Sequence, residues 1–273
     1  MRAMSDALIE TAIDDGIAHL RFNRARQLNA FNNDLMRDTL AAMAAFERDE
    51  SVRAIIISGH GRAFSAGFDL KAAAERELNG HDAWRAQLSL QFDFIMSLWD
   101  ARVPTIAAVH GYCLAGALEL SLAADITIAA EDTIFGEPEV RFGSGAVAML
   151  FPWVTGPKAA KELLFTGEDR MSAERAHQLG LINRIVPGDA LLAEAMRTAR
   201  IIAKASPASV QKTKRAVNRA YDIMGLKNAL AAGLDIDVDI NATPSFEKQE
   251  FARIRKEQGV KAAIAWRDQR FAE

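Results

Sequence analysis

The chain has 273 residues, half of them hydrophobic and a quarter charged, with a formal net charge of −3. That balance describes a globular protein long enough for a full core, and its interspersed acids and bases argue against a nucleic-acid partner. One cysteine, Cys113, excludes an intrachain disulfide and points to a reducing compartment. Residues 1–15 are polar and acidic without an apolar signal core, and no segment is long enough to span a bilayer. A cytoplasmic protein with no membrane partner is expected. Ile17–Phe22 and residues 52–58 read as strands, the second apolar enough for burial on both faces. Leu35, Leu40, Met43 and Phe46 form a helical stripe; Trp84, Leu88, Phe92, Ile95 and Trp99 form a stronger one. Thr105–Val109, residues 125–129 and residues 182–186 add strands, so the alternation predicts an α/β fold. After Pro207 only helical patterns remain. Residues 207–273 therefore read as a helical appendage to a core of residues 1–206.

Several familiar chemistries lack their motifs. There is no GxGxxG after a strand, no Walker loop, no HExxH, no CxxC and no GxSxG. The histidines His19, His60, His81, His110 and His177 show no ligand spacing, so no metal is expected. Two segments stand out instead. Gly111-Tyr112-Cys113-Leu114-Ala115-Gly116-Ala117-Leu118-Glu119 is a small-residue turn opening a helix, with an acid one turn inside it. The free N–H groups at a helix start suit a developing negative charge, and Glu119 falls on the same face as Gly116. Phe135-Gly136-Glu137-Pro138-Glu139 then sets another acid, Glu139, in a tight loop. Acids in such apolar surroundings point to acid–base work. A further loop, residues 61–71, links a buried strand to a helix, and Gly67 there permits a backbone angle that presents the Phe68 N–H.

Residues 61–71, 109–125, 135–143 and 163–187, with Phe22-Asn23-Arg24, Leu28-Asn29-Ala30 and Ser206-Pro207, resemble the crotonase (enoyl-CoA hydratase/isomerase) superfamily over nearly the whole chain. The resemblance implies a spiral of ββα units with C-terminal helices that assemble homotrimers, often paired into hexamers. It implies an acyl-CoA thioester substrate, with coenzyme A part of the substrate and no separate cofactor. Phe68 and Gly116 match the two oxyanion-hole N–H donors, and Glu119 and Glu139 match the two glutamates of the hydratases. Lys71 matches a position near the CoA phosphates, or is a solvated helix lysine; Arg24 is a looser candidate, and Ala66 and Asp69 belong to the same substrate loop. The implied reaction is hydration of a 2-enoyl-CoA. The alternatives are an isomerase, a dehydratase of an unusual hydroxyacyl-CoA, or a non-catalytic acyl-CoA-binding trimeric scaffold. One departure follows Glu139: Val140-Arg141-Phe142-Gly143-Ser144-Gly145-Ala146-Val147 lacks the Pro-Gly of typical hydratases. Arg141 or Phe142 is expected to alter the acyl group accepted.

Overall fold

The computed structural model describes residues 7–76 and 78–272; the first six residues of the polar stretch 1–15, with Glu77 and Glu273, lie outside it. The strands are β1 (Ile9–Asp14), β2 (Ile17–Phe22), β3 (Ala54–Gly59), β4 (Thr105–Val109), β5 (Tyr112–Leu114), β6 (Ile126–Ala130), β7 (Ile134–Gly136), β8 (Met171–Ser172) and β9 (Arg184–Val186). The helices of the core are α1 (Asn33–Arg48), α2 (Leu70–Ala74), α3 (Gly80–Met96), α4 (Gly116–Ala123), α5 (Phe151–Thr155), α6 (Pro157–Thr166), α7 (Ala173–Gln178) and α8 (Leu191–Lys204). The tail adds α9 (Pro207–Ile223), α10 (Leu226–Ala242), α11 (Phe246–Gln258) and α12 (Val260–Arg270).

The larger sheet runs β1-β2-β3-β4-β6-β9, antiparallel at the β1 edge and parallel thereafter. Its middle strands are apolar on both faces because helices cover both. Ile56, Ile106 and Ile128 face α8 through Leu191, Ala195 and Ala199. Ile55, Ile57 and Ala107 face the main core. There Phe22, Phe31, Phe64 and Phe94 meet edge to face, an arrangement aromatic quadrupoles favour. A smaller sheet, β5-β7-β8, stands beside it. Two sheets joined by helical crossovers and followed by terminal helices make the expected crotonase-like α/β architecture.

Strands β1, β5, β7 and β8 were not legible from periodicity. Strand β1 exposes most of its residues as an edge, and the other three span three residues or fewer. The tail packs back onto the core. Helix α10 lies along α3 and buries Leu226, Leu230, Leu234 and Val238. Lys214 of α9 is buried and donates to Asp125 at 2.7 Å and to the carbonyls of Leu98 and Val103. Phe251 and Ile254 of α11 and Ala263 of α12 form a separate cluster with Leu70 and Phe142. Among the described residues, no helix is long and apolar enough to cross a membrane.

Candidate active site

The loop of residues 61–69 and the start of α4 are stitched into one surface. Ser65 N–H donates to the Tyr112 carbonyl at 3.0 Å, and Leu114 N–H donates back to the Ser65 carbonyl at 3.3 Å. The buried Ser65 hydroxyl donates to the Asn29 carbonyl and accepts from Gly67 N–H, which shapes the turn. Gly67 has φ +85°, and a Cβ there would lie 2.6 Å from the Leu114 carbonyl and 2.7 Å from the Ala115 Cβ. Only glycine fits so close an approach. Ala115 caps α4 with φ 58° and ψ −134°, an unusual conformation for a non-glycine residue, anchored by its N–H on the Gly136 carbonyl at 2.7 Å. That turn leaves Gly116 as the first helical residue, without an intrahelical acceptor. A Cβ on Gly116 would run into the Phe68 ring, so the two residues sit against each other. Among the described residues neither of their N–H groups meets a backbone acceptor.

The first of the acids, Glu119, lies in the first turn of the helix that Gly116 opens. Glu119 is fully buried, and its carboxylate accepts from Val147 N–H at 3.2 Å and from Ala148 N–H. Burial pushes its pKa well above the ordinary carboxylate range, opposed by those two N–H groups and reinforced by Glu139. Glu139 follows Pro138 at the start of a 3₁₀ turn and is 8 % exposed, with one oxygen unpartnered. Burial raises it to about 7, while the neighbouring Glu137 pulls the other way. Proximity of three buried carboxyls favours holding protons in the cluster at neutral pH.

Two acids of this cluster escaped the sequence reading. Glu137 lay in the highlighted segment, and its Glu-Pro-Glu spacing was the signal for it. Asp237 has no local motif. Its signal is a polar side chain on the buried stripe of α10, among Leu230, Leu234, Val238 and Asn241. Asn241 donates to Asp237 at 2.8 Å, and burial raises Asp237 to about 6.

The loop after Glu139 is pinned without a proline. Ser144 N–H donates to the Glu139 carbonyl, and the Ser144 hydroxyl donates to Asn241 at 2.8 Å. Gly145 passes so near Asp237 that a Cβ would lie 2.7 Å from its carboxylate. Arg141 and Phe142 make contacts of their own beyond the loop. Arg141 donates to the Thr166 carbonyl, pairs with Asp169 and lies over Phe271. Phe142 stacks on Phe251 at 5.1 Å. Both side chains tie the loop to neighbouring elements.

The remaining candidates separate. Arg24 and Asp69 are brought together as an ion pair at 2.9 Å, and Arg24 also donates to the Ala30 carbonyl. The other oxygen of Asp69 caps α2 by accepting from Lys71 and Ala72 N–H, each at 3.0 Å. These two side chains thereby tie the loop to the segment around residue 30 and to the start of α2. Ala66 N–H donates to the Leu28 carbonyl. Lys71 stands apart from the acids and, with Arg255 and Lys261, lines a cleft of about 430 Å³ floored by Ala74 and Val260.

Comparison with known proteins gives the site a context. The family model described as enoyl-CoA hydratase/isomerase matches residues 12–262. A probable enoyl-CoA hydratase of Rhizobium meliloti is 36% identical over 272 residues, covering 97% of this chain and 96% of that protein. The crystal structure of an enoyl-CoA hydratase/isomerase from Xanthobacter autotrophicus Py2 superposes with a TM-score of 0.96 at 48% identity, covering 98% of this chain and 99% of that one. An enoyl-CoA hydratase from Mycobacterium smegmatis gives a TM-score of 0.88 at 28% identity, over 97% of this chain and 94% of that one.

Proposed function

This chain belongs to the enoyl-CoA hydratase/isomerase family, and from that premise we propose that it adds water across the 2,3-double bond of a 2-enoyl-CoA. What supports this reading is the pair of adjoining residues Phe68 and Gly116, whose N–H groups meet no backbone acceptor among the described residues, in a chain that also buries Glu119 and Glu139. Attack on the β-carbon drives charge onto the thioester oxygen. Preorganised donors stabilise that oxygen more in the transition state than in the substrate, and one such donor is worth on the order of 10²–10³ in rate.

In this reading Glu119 binds and activates the water. Its carboxylate already accepts two N–H groups and keeps lone pairs free for a third donor. Glu139 exchanges the proton of the α-carbon, a task suited by its pKa near 7, where acid and base forms are both populated. The cleft of Lys71, Arg255 and Lys261 supplies cations for the phosphates of coenzyme A, which enters as part of the substrate.

A second reading draws on the same atoms. Both oxygens of Glu119 are engaged by the loop, whereas Glu139 keeps one oxygen free. A single free base is all that a double-bond isomerase requires. Crotonyl-CoA and a 3-enoyl-CoA separate the two. Hydration removes the enoyl-thioester absorbance of crotonyl-CoA, and isomerisation creates that absorbance from the 3-enoyl substrate. A trimeric acyl-CoA-binding scaffold would do neither.

A further inference from the structure

Glu137 has no part in the reaction as assigned above, and its setting calls for one. It is 1 % exposed, and no amide, hydroxyl or cation of the described residues meets either of its oxygens. A carboxylate left so in the interior is among the costliest groups a fold can carry. Yet the backbone is built to hold it there. Glu137 N–H donates to the Glu168 carbonyl at 2.7 Å. Gly136 before it has no room for a Cβ against Asp169. Pro138 after it fixes the turn that brings Glu139 around (φ −85°, ψ 8°). Gly136, Pro138 and the Glu168 contact thus clamp two successive carboxyls of a Glu-Pro-Glu segment into one buried space.

Resting on the hydratase reading of this site, we propose that Glu137 is a positioning residue that stays a neutral carboxylic acid and donates its proton in a hydrogen bond to Glu139, leaving Glu139 as the member of the pair that ionises. A neutral acid explains the missing partners, since a protonated carboxyl among other carboxyls needs no amide, hydroxyl or cation beside it. The surroundings agree. Glu119 from α4, Glu139 and Asp237 from α10 all oppose a charge on Glu137. The contact between the two acids raises Glu137 and lowers Glu139, and Arg267 of α12 assists only Glu139. Among the described residues these acids do not form a group arranged to hold a metal ion. Within the pair Glu137 serves Glu139 twice: it orients the reacting carboxyl and offsets part of the upward push of burial, which keeps Glu139 able to gain and lose a proton near neutrality.

The test compares Glu137→Gln with Glu137→Leu. Glutamine keeps a donor to Glu139 and leucine does not. Losing a donor to a charged group displaces the limb of the kcat profile set by Glu139 upward by about one to two pH units. Glu137→Leu is expected to show that displacement, and Glu137→Gln to stay within about half a unit of the parent. A Leu profile that coincides with the parent overturns the proposal. So does a Gln profile displaced downward, the mark of a negative charge removed from beside Glu139. An infrared readout needs no turnover: at pH 7.5 the parent-minus-variant difference spectrum of Glu137→Gln should show the loss of one protonated-carboxyl C=O band, those of the other buried acids being common to both proteins. No such band in the difference would also overturn the assignment. If the parent hydrates nothing, the hydratase reading fails while the infrared comparison still judges the proton on Glu137.

Discussion

Replacing Glu139 by glutamine should weaken the chemistry and strengthen the fold, and the second effect has a size set by the site. Glu139 titrates at about 7 in the folded protein against an ordinary 4.5, chiefly because burial disfavours its charge. The native state therefore binds this proton more tightly than the unfolded chain does. As pH rises from about 4.5 to about 7 the unfolded chain gives up the proton first, so stability falls across that window and levels off above it. At about 1.4 kcal/mol for each pH unit, the gap amounts to about 3 kcal/mol of native-state cost at pH 8. Glutamine carries no such proton and escapes the loss. Glu139→Gln should match the parent near pH 4.5 and exceed it by about 3 kcal/mol at pH 8, while kcat drops by about 10²–10⁴. Urea unfolding at fixed protein concentration, repeated between pH 5 and 8, reads the difference directly. Parallel pH slopes for the two proteins would refute the argument, because they would mean that Glu139 ionises in the fold as it does in water.

Other outcomes follow from the same geometry. Glu119→Gln should cost both activity and order in the loop, since Val147 and Ala148 N–H donate to different oxygens of Glu119 and glutamine would set a donating NH₂ against one of them; turnover at the parent's rate would remove Glu119 from the chemistry. Gly116→Ala should lose about ten-fold or more in kcat as its methyl displaces the Phe68 ring, and adding Phe68→Ala should restore most of it. A double variant as slow as the single one would show that ring contact is not the cause. Full-length protein should sediment as a trimer or hexamer. The tail leaves Val217, Ile223, Met224, Ile236 and Phe246 exposed, apolar side chains that neighbouring copies would cover. A single monomeric species at micromolar concentration would count against assembly through residues 207–273.

The parts of this protein that announce themselves in sequence are those whose cause is local. The buried β-branched run of β3, the stripe of α3 and the glycine-rich entry to α4 each carry their physics within a few residues. The turn at Gly67 and the helix start at Gly116 were legible because a tight turn and a helix start need particular residue types. Long-range partnerships left no such mark. The contact between Arg24 and Asp69 spans 45 residues of sequence, and neither residue's neighbours announce it. Asp237 belongs to a helix that reads as an oligomerisation element, and its approach to Gly145 depends on how α10 packs along α3. Glu137 was visible as a residue but not as a problem. Its lack of a partner is a property of the packed interior.

The central claim is that this site adds water to an enoyl thioester through the two acids beside Phe68 and Gly116. Crotonyl-CoA incubated with the enzyme in ¹⁸O-labelled water tests it most directly. The account predicts a hydroxyacyl-CoA carrying one labelled oxygen, formed by the parent and suppressed by orders of magnitude in Glu119→Gln and Glu139→Gln. Crotonyl-CoA recovered unlabelled and unchanged, or label gained equally by the parent and both variants, would contradict it.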